Sequence, residues 1–330
     1  AYDAAVESIV LLKNEDSALP LKKEEKVVFA GPLVNSQDLL GAWRWQGKLS
    51  ETESIASLLD RQGQQLSTVE EATKIVLIVG ETSDRTGESK SYTNIQLPDE
   101  QIKLINKLAK TSKQIILVVL AGRPLDLSAV NDKVSAILYA YFPGTMAARA
   151  IVDLLYGKKN PSGKLTMSLP RSVGQIPIYY NNYNTGRPTE NESEDYVSRY
   201  QDTLKTPLYP FGHGLSYSQF SYSDMAIETN NEKITAKVTV KNQGKLAGAT
   251  TLLIFIHDLM ASTARPLKEL KTFEKRVLSA GESQTIHFEI DKEALKFYNF
   301  TNQQVFEEGK FEVLIAQSAE DIIYSKIVNL

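Results

Sequence analysis

The sequence predicts an α/β domain built on a mainly parallel sheet, followed by an all-β, immunoglobulin-like sandwich. Three observations carry this expectation. Over the first half, continuously apolar β-branched runs ending in Gly or Pro alternate with stretches of helical period. The middle of the chain is then rich in Pro, Gly, Tyr and Asn and has no long period. From Gln219 onward, short runs alternate apolar and polar residues between turns. Apolar strands that alternate with helices belong to a sheet covered on both faces. The expected organisation is an α/β sandwich over 1–170, an ordered strap over 171–218 and a β-sandwich over 219–330.

Each element follows from its own residues. The strand runs are "KVVFAGPL" (Lys26–Leu33), "KIVLIVGE" (Lys74–Glu81), "QIILVVLAGRP" (Gln114–Pro124) and "SAILYAYFPG" (Ser135–Gly144). Helical stretches lie at "ETESIASLLDRQG" (Glu51–Gly63), "PDEQIKLINKLAKT" (Pro98–Thr111) and "TMAARAIVDLLYGK" (Thr145–Lys158). The second of these opens with Pro and two acids and closes with lysines, which suits the helix dipole at both ends. Its Ile102, Leu104, Ile105 and Leu108 supply an apolar face. The strap is too long for an ordinary loop and too aromatic for a floppy tether. Beyond it, "KITAKVTVKN" places Ile234, Ala236, Val238 and Val240 on one face, and "TIHFEI" and "FEVLIAQ" repeat the pattern. Roughly seven such strands are expected, as in an immunoglobulin-like sandwich.

Composition removes several chemistries. A formal net charge of −3 gives no electrostatic reason to expect nucleic acid or an anionic membrane as partner. The longest apolar runs are strand-sized, so no membrane span is expected. The first residues, "AYDAAVESIVLLKNED", carry acids and lack the marks of a signal peptide. With no cysteine there is no disulfide, thiolate nucleophile or cysteine zinc site. That fits a cytoplasmic protein without excluding a periplasmic or secreted one. The three histidines, His213, His257 and His287, do not suggest a His-centred triad or metal site, since the last two sit in strand-like runs. No "GxGxxG" or P-loop follows a strand, and "GHGLS" (Gly212–Ser216) does not match a nucleophile elbow. No cofactor and no metal are expected.

In an open parallel sheet, ligands bind at the carboxyl ends of the strands. Four glycine-containing loops start there: "AGPLVNSQDLLGAW", "VGETSDRTGESKS" (79–91), "LAGRPLDL" and "AYFPGTM". The same glycines could simply permit sharp turns from strand to helix. What chemistry the residues offer is that of carboxylates, with Glu81, Asp84 and Glu88 in one loop. A Glu at such a rim can act as a general acid if burial or a neighbouring carboxylate raises its pKa.

A long, ordered series of motifs then narrows the reading. "ESIVLLKNE…LPL", "GPLVNSQDLLGAWRWQG", "GES…IQLPDEQ", "VLAGRPLDL", "AYFPGTMAARAIVDLLYGKKNPSGKLTMSLPRSVGQIPIYYN…TGRP", "LYPFGHGLSYSQFSYS", "VKNQGKLAG" and "RPLKELKTFEKRVLSAGES" run almost end to end. Together they resemble the C-terminal portion of glycoside hydrolase family 3 β-glucosidases. The resemblance implies an α/β sandwich and a fibronectin type III-like domain that follow a (β/α)8 barrel. It implies retaining hydrolysis of terminal β-linked glucose from glucosides or oligosaccharides, with an Asp nucleophile in the barrel and a Glu acid/base in a loop of the sandwich. By motif alignment that acid/base is Glu88, while Glu81 is expected to support the loop. Members often carry Ser-Arg-Thr-Asp where this chain has Ser91–Asn94, which bears on the loop's conformation.

The barrel is not among these residues, so the chain alone is expected to be inactive, with the barrel as partner in cis or as a separate chain. Other readings are a non-catalytic carbohydrate-binding or structural module, or the same part of a β-xylosidase. Trp43 and Trp45 could stack on sugar rings, although a core or interface role in the "GAWRWQG" turn is favoured. Arg123 and Arg187 could contact a sugar hydroxyl or pair with carboxylates to pin loops, with Asp126 as a candidate partner.

Overall fold

Strands that are apolar on every residue need cover on both faces, and the helices around them provide it. The computed structural model describes residues 1–64, 67–188, 193–230 and 232–330; residues 189–192 of the expected strap lie outside the described residues. The chain forms two units: residues 1–165, 169–176 and 214–217 make the first, and 166–168, 177–213 and 218–330 the second.

In chain order the first unit contains α1 (Tyr2–Ser8), β1 (Val10–Asn14), β2 (Val27–Ala30), α2 (Ile55–Arg61), β3 (Lys74–Gly80), α3 (Asp99–Leu108), β4 (Gln114–Leu120), α4 (Ser128–Asn131), β5 (Ala136–Tyr139) and α5 (Ala147–Leu155). The sheet runs β1-β5-β4-β3-β2. β2 to β5 are parallel, and β1 joins the edge antiparallel to β5. The alternation of strand side chains sends Val76, Ile78, Ile116 and Val118 into one core with α1, α2 and α5. Their neighbours Ile75, Leu77 and Val79 are equally buried, so β3 is enclosed throughout. Helix α2 starts where the Ser54 side chain caps Ser57 N at 3.1 Å.

The end of β3 is set by two neighbours. Gly80 has φ 126°, and a Cβ there would lie 1.9 Å from the Leu120 carbonyl oxygen, so only glycine fits. Gln101 on α3 accepts from Gly80 N at 2.8 Å and donates to its carbonyl at 2.9 Å. The chain therefore leaves the sheet immediately before Glu81.

Helix α1 and strand β1 were not expected from periodicity. Both are short, and α1 has no side-chain cap. Helix α1 packs on α5 through Ala5 and Val6, and the Tyr2 hydroxyl donates to buried Asp153 at 2.7 Å. Burial disfavours the Asp153 carboxylate, but the Tyr2 hydroxyl, Lys158 and Arg149 outweigh it and hold its carboxyl below the usual range. A lowered folded pKa means stability present above the unfolded value of about 3.9 and lost as pH falls through the folded value. Tyr2→Phe is expected to cost about 1.5–3 kcal/mol at pH 7, as for a hydrogen bond to a charged group. Urea unfolding should show that gap narrowing below about pH 4; a gap that stays constant to about pH 2.5 would contradict this account.

The second unit contains β6 (Phe220–Thr229), β7 (Lys233–Asn242), β8 (Gly248–Asp258), β9 (Glu269–Leu278), β10 (Ser283–Asp291), α6 (Lys292–Leu295), β11 (Phe297–Tyr298), β12 (Gln304–Val305), β13 (Lys310–Ser318) and β14 (Asp321–Asn329). They form antiparallel sheets in the orders β10-β7-β6 and β14-β13-β8-β9, with β11 and β12 as a small hairpin. Nine strands therefore replace the roughly seven expected among the described residues, the hairpin being too short to leave a pattern. Ile234, Ala236, Val238 and Val240 do enter the core between the sheets, packed with Leu252, Ile254 and Ile256.

Strand β8 is buried on successive residues because its other face is also covered. Leu253 and Phe255 pack under Tyr180 and Phe211 of the 177–213 segment, whose rings stack at 4.3 Å. His257 is half-buried, 3.6 Å from Glu312, and His287 is exposed. Among the described residues, no helix is long and apolar enough to cross a membrane.

Candidate active site

Because β2, β3, β4 and β5 are parallel, their carboxyl ends lie along one edge of the sheet, and the four loops leave from it. The loops also lock together. A Cβ on Gly122 would lie 2.5 Å from Thr86 Oγ1 and 3.2 Å from the Phe142 ring, and one on Gly41 would lie 3.2 Å from Phe142. Gly87, at φ 119°, leaves just enough room for Ala42, whose Cβ would be 3.0 Å from an added one. The glycines thus serve close packing of loop on loop, beyond the needs of a turn.

The three acids of the β3 loop have three different fates. Glu81 is only 3% exposed and receives Arg123 in a fork, Nε to Oε2 at 3.0 Å and Nη2 to Oε1 at 2.7 Å. Arg85 Nε lies 3.5 Å from the same carboxylate. The Thr82 hydroxyl donates to Asp84 and holds its carboxyl below the usual range. Glu88 is exposed, between Gly87 at φ 119° and Ser89 at φ 58°. Among the described residues its carboxylate has no hydrogen-bond or ion-pair partner. Asp84 is exposed as well but engaged by Thr82, so Glu88 is the one acid of this loop without a partner among the described residues.

The 81–94 loop is tied down at several points. Ser83 N donates to Asp38 Oδ2 at 2.7 Å, tying it to the β2 loop. Arg123 Nη1 donates to the Tyr92 carbonyl at 3.2 Å and Nη2 to the Asn94 carbonyl at 2.7 Å. The Arg85 guanidinium sits 4.2 Å over the Tyr92 ring. On the neighbouring loop, Trp43 and Trp45 are 73% and 89% exposed, and Trp45 has φ 51°. Neither belongs to the core of this chain, contrary to the core reading of the "GAWRWQG" turn. Arg44 between them is drawn back, with Nη1 3.7 Å from Asp38 Oδ1.

Arg123 pairs with Glu81 and not with Asp126. The Asp126 carboxylate accepts instead from Gln96 at 3.2 Å and from Ser128 N at 2.9 Å, at the entry to α4. Arg187 belongs to the second unit and donates to the Tyr196 carbonyl at 3.3 Å. Asp38 and Tyr139 had no sequence signal. Tyr139 is wholly buried at the end of β5, where burial pushes its phenol well up, and its hydroxyl donates to the Arg123 carbonyl at 2.6 Å. Tyr141, in the left-handed region at φ 56°, has a buried hydroxyl without a partner among the described residues, and burial pushes it up to about 12. Among the described residues no group of three or more His, Cys, Asp or Glu could hold a metal ion.

Comparison with known proteins places this geometry among relatives. The Glycosyl hydrolase family 3 C-terminal domain matches residues 9–217, and the Fibronectin type III-like domain matches residues 250–319. The Periplasmic beta-glucosidase of Salmonella typhimurium is 41% identical, over 96% of this chain and 48% of that protein. The Thermostable beta-glucosidase B of Acetivibrio thermocellus is 34% identical, over 100% of this chain and 48% of that protein. A Beta-xylosidase of Formosa agariphila is 30% identical, over 97% and 48%. The crystal structure of a β-glucosidase from Listeria innocua in complex with isofagomine superposes with a TM-score of 0.94 at 39% identity, covering 99% of this chain and 49% of that one. The chain thus spans about half the length of the curated relatives it matches.

Proposed function

The chain belongs to glycosyl hydrolase family 3, as its C-terminal and fibronectin type III-like domains, and from that premise we propose that it supplies Glu88 as the general acid/base of a retaining β-glucosidase. The observation that carries the proposal is the fate of the three loop acids. Glu81 is buried against arginines and Asp84, though exposed, is held ionised by the Thr82 hydroxyl, while Glu88 stands exposed at the sheet rim without a partner among the described residues.

Retention needs a second carboxylate as nucleophile, about 5–5.5 Å from the first. We assign that Asp, and the pocket for the glycone, to an N-terminal barrel outside these 330 residues, in cis or as a separate chain. The barrel would also exclude water and bring the carboxylate whose charge keeps an acid protonated at neutral pH. The reaction itself calls for two carboxyl groups and water, with no cofactor. A terminal β-glucoside is favoured over a β-xyloside because the relatives named β-glucosidase are 41% and 34% identical, against 30% for the β-xylosidase. A periplasmic location suits a cysteine-free chain as well as the cytoplasm does, and the Salmonella relative carries the periplasm in its name.

The test joins this chain to the N-terminal half of the Salmonella relative and assays an aryl β-glucoside. Turnover by the joined protein, absent from the 330-residue chain, is the expected result. Robust turnover by the 330-residue chain alone would overturn the division of the site.

The exposure of Trp43 and Trp45 favours a second role for the same rim, that of a stacking surface for the sugar beyond the cleaved bond. They are the chain's two tryptophans, so tryptophan emission excited selectively over the 15 tyrosines reports on this loop. Titration with cello-oligosaccharides should give a saturable change that Trp45→Ala diminishes. A flat response across millimolar sugar would remove this role.

A further inference from the structure

We propose that Arg123 is a positioning residue for Glu88, a latch that holds both ends of the 81–94 loop on one guanidinium. Its fork closes on Glu81 at the start of the loop, while its outer N–H groups donate to the carbonyls of Tyr92 and Asn94 at the end. Four donations from one planar group fix the separation of the two ends. A lysine could keep the charge but not the fork.

The latch is itself held. The Tyr139 hydroxyl pins the Arg123 carbonyl from β5, and the Leu120 carbonyl accepts from Glu81 N at 2.7 Å from β4. The Tyr92 ring lies beside two cations, 4.2 Å from Arg85 and 5.6 Å from Arg123. An aromatic face suits that place better than another basic residue, which would meet two guanidiniums. This is where the chain departs from Ser-Arg-Thr-Asp, and the tyrosine gives the departure a physical reason. Asp126 N donates to the Ile95 carbonyl at 2.9 Å just beyond this end, so Arg123 is the last tie before the chain turns out towards Glu88, and the direction in which Glu88 projects depends on the latch.

The inference rests on the acid/base reading for its catalytic consequence, and the test separates the two. Hydrogen exchange of the 330-residue chain follows peptides from 82–94 in Arg123→Lys, Arg123→Ala and Tyr92→Ala. Exchange in that loop should rise about tenfold or more in Arg123→Lys while β3 and β4 keep their protection. Should Arg123→Ala fail to fold, Arg123→Lys and Tyr92→Ala decide the matter. In the joined enzyme, Arg123→Lys should lower kcat about 10–100-fold with KM within about twofold, the expected result of a misplaced acid. Azide should restore part of the lost turnover on an activated glucoside, as it should for Glu88→Ala. Unchanged loop exchange, or a fall in kcat that azide leaves untouched, would overturn the latch. Wild-type kcat in Glu88→Ala would overturn the acid/base reading instead, and loop exchange alone would then decide for or against the latch.

Discussion

Glu88→Ala, in this chain joined to a barrel half, is expected to lower kcat/KM for a glucoside with a poor leaving group by about 10²–10⁴-fold. The size follows from what a general acid does. An alkoxide leaving group must be protonated as the glycosidic bond breaks; Glu81 is buried against arginines, and the Thr82 hydroxyl keeps exposed Asp84 in its ionised form. A glucoside with an activated aryl leaving group needs no such help, so its first step should survive and hydrolysis of the glucosyl-enzyme should become limiting. Azide, which needs no general base, should then speed turnover and yield the β-glucosyl azide. Because Glu88 is exposed and makes no contact that holds the fold, its removal should change stability by no more than about 0.5 kcal/mol. Activity within about twofold of the parent would sink the assignment, and loss of activity with loss of folding would give it no support.

Removing Glu81 is expected to act the other way round, on stability first. Its carboxylate is buried and neutralises Arg123, itself largely buried, with Arg85 close by. Taking away the buried partner leaves the mostly buried Arg123 guanidinium short of its carboxylate, at up to about 3–5 kcal/mol. Glu81→Leu should therefore bring forward the unfolding of the first unit in urea by that amount while the β-sandwich unfolds as before. Since the chain has two units, the transitions need separate probes, and the two tryptophans report on the first. A loss below about 1 kcal/mol would mean that the arginines find water or other acceptors once Glu81 is gone. Glu81→Gln should fall between, since an amide still accepts one donor of the fork.

The two glutamates illustrate what a linear reading can and cannot separate. Both follow a glycine, both lie in one polar loop, and periodicity treats them alike. Motif resemblance distinguishes them by alignment. The physical distinction arises from Arg123, 42 residues after Glu81, which reaches it only because β3 and β4 are adjacent and parallel. Asp126, nearer to Arg123 in sequence, is the partner a linear reading suggests, but it bonds Gln96 and Ser128 instead. For the tryptophans a linear reading favours a core or interface role, since a large aromatic side chain suits a core as well as a rim. Their exposure follows from Gly41 packing on Phe142 and from Asp38 holding Arg44, contacts made across separate loops.

Apolar period and turn residues are local properties, and they suffice to specify the layered α/β domain, its parallel strands and the alternating β-sandwich. The family is equally legible along the chain, through motifs that run nearly its whole length. Short elements escaped that reading: α1, β1 and the β11–β12 hairpin take their stability from what they pack against. Which carboxylate is spent on arginines and which stands free is a matter of three-dimensional packing alone. Ion pairing falls off within a few ångströms, and such distances are set by strand adjacency and loop-on-loop contact, not by spacing along the chain.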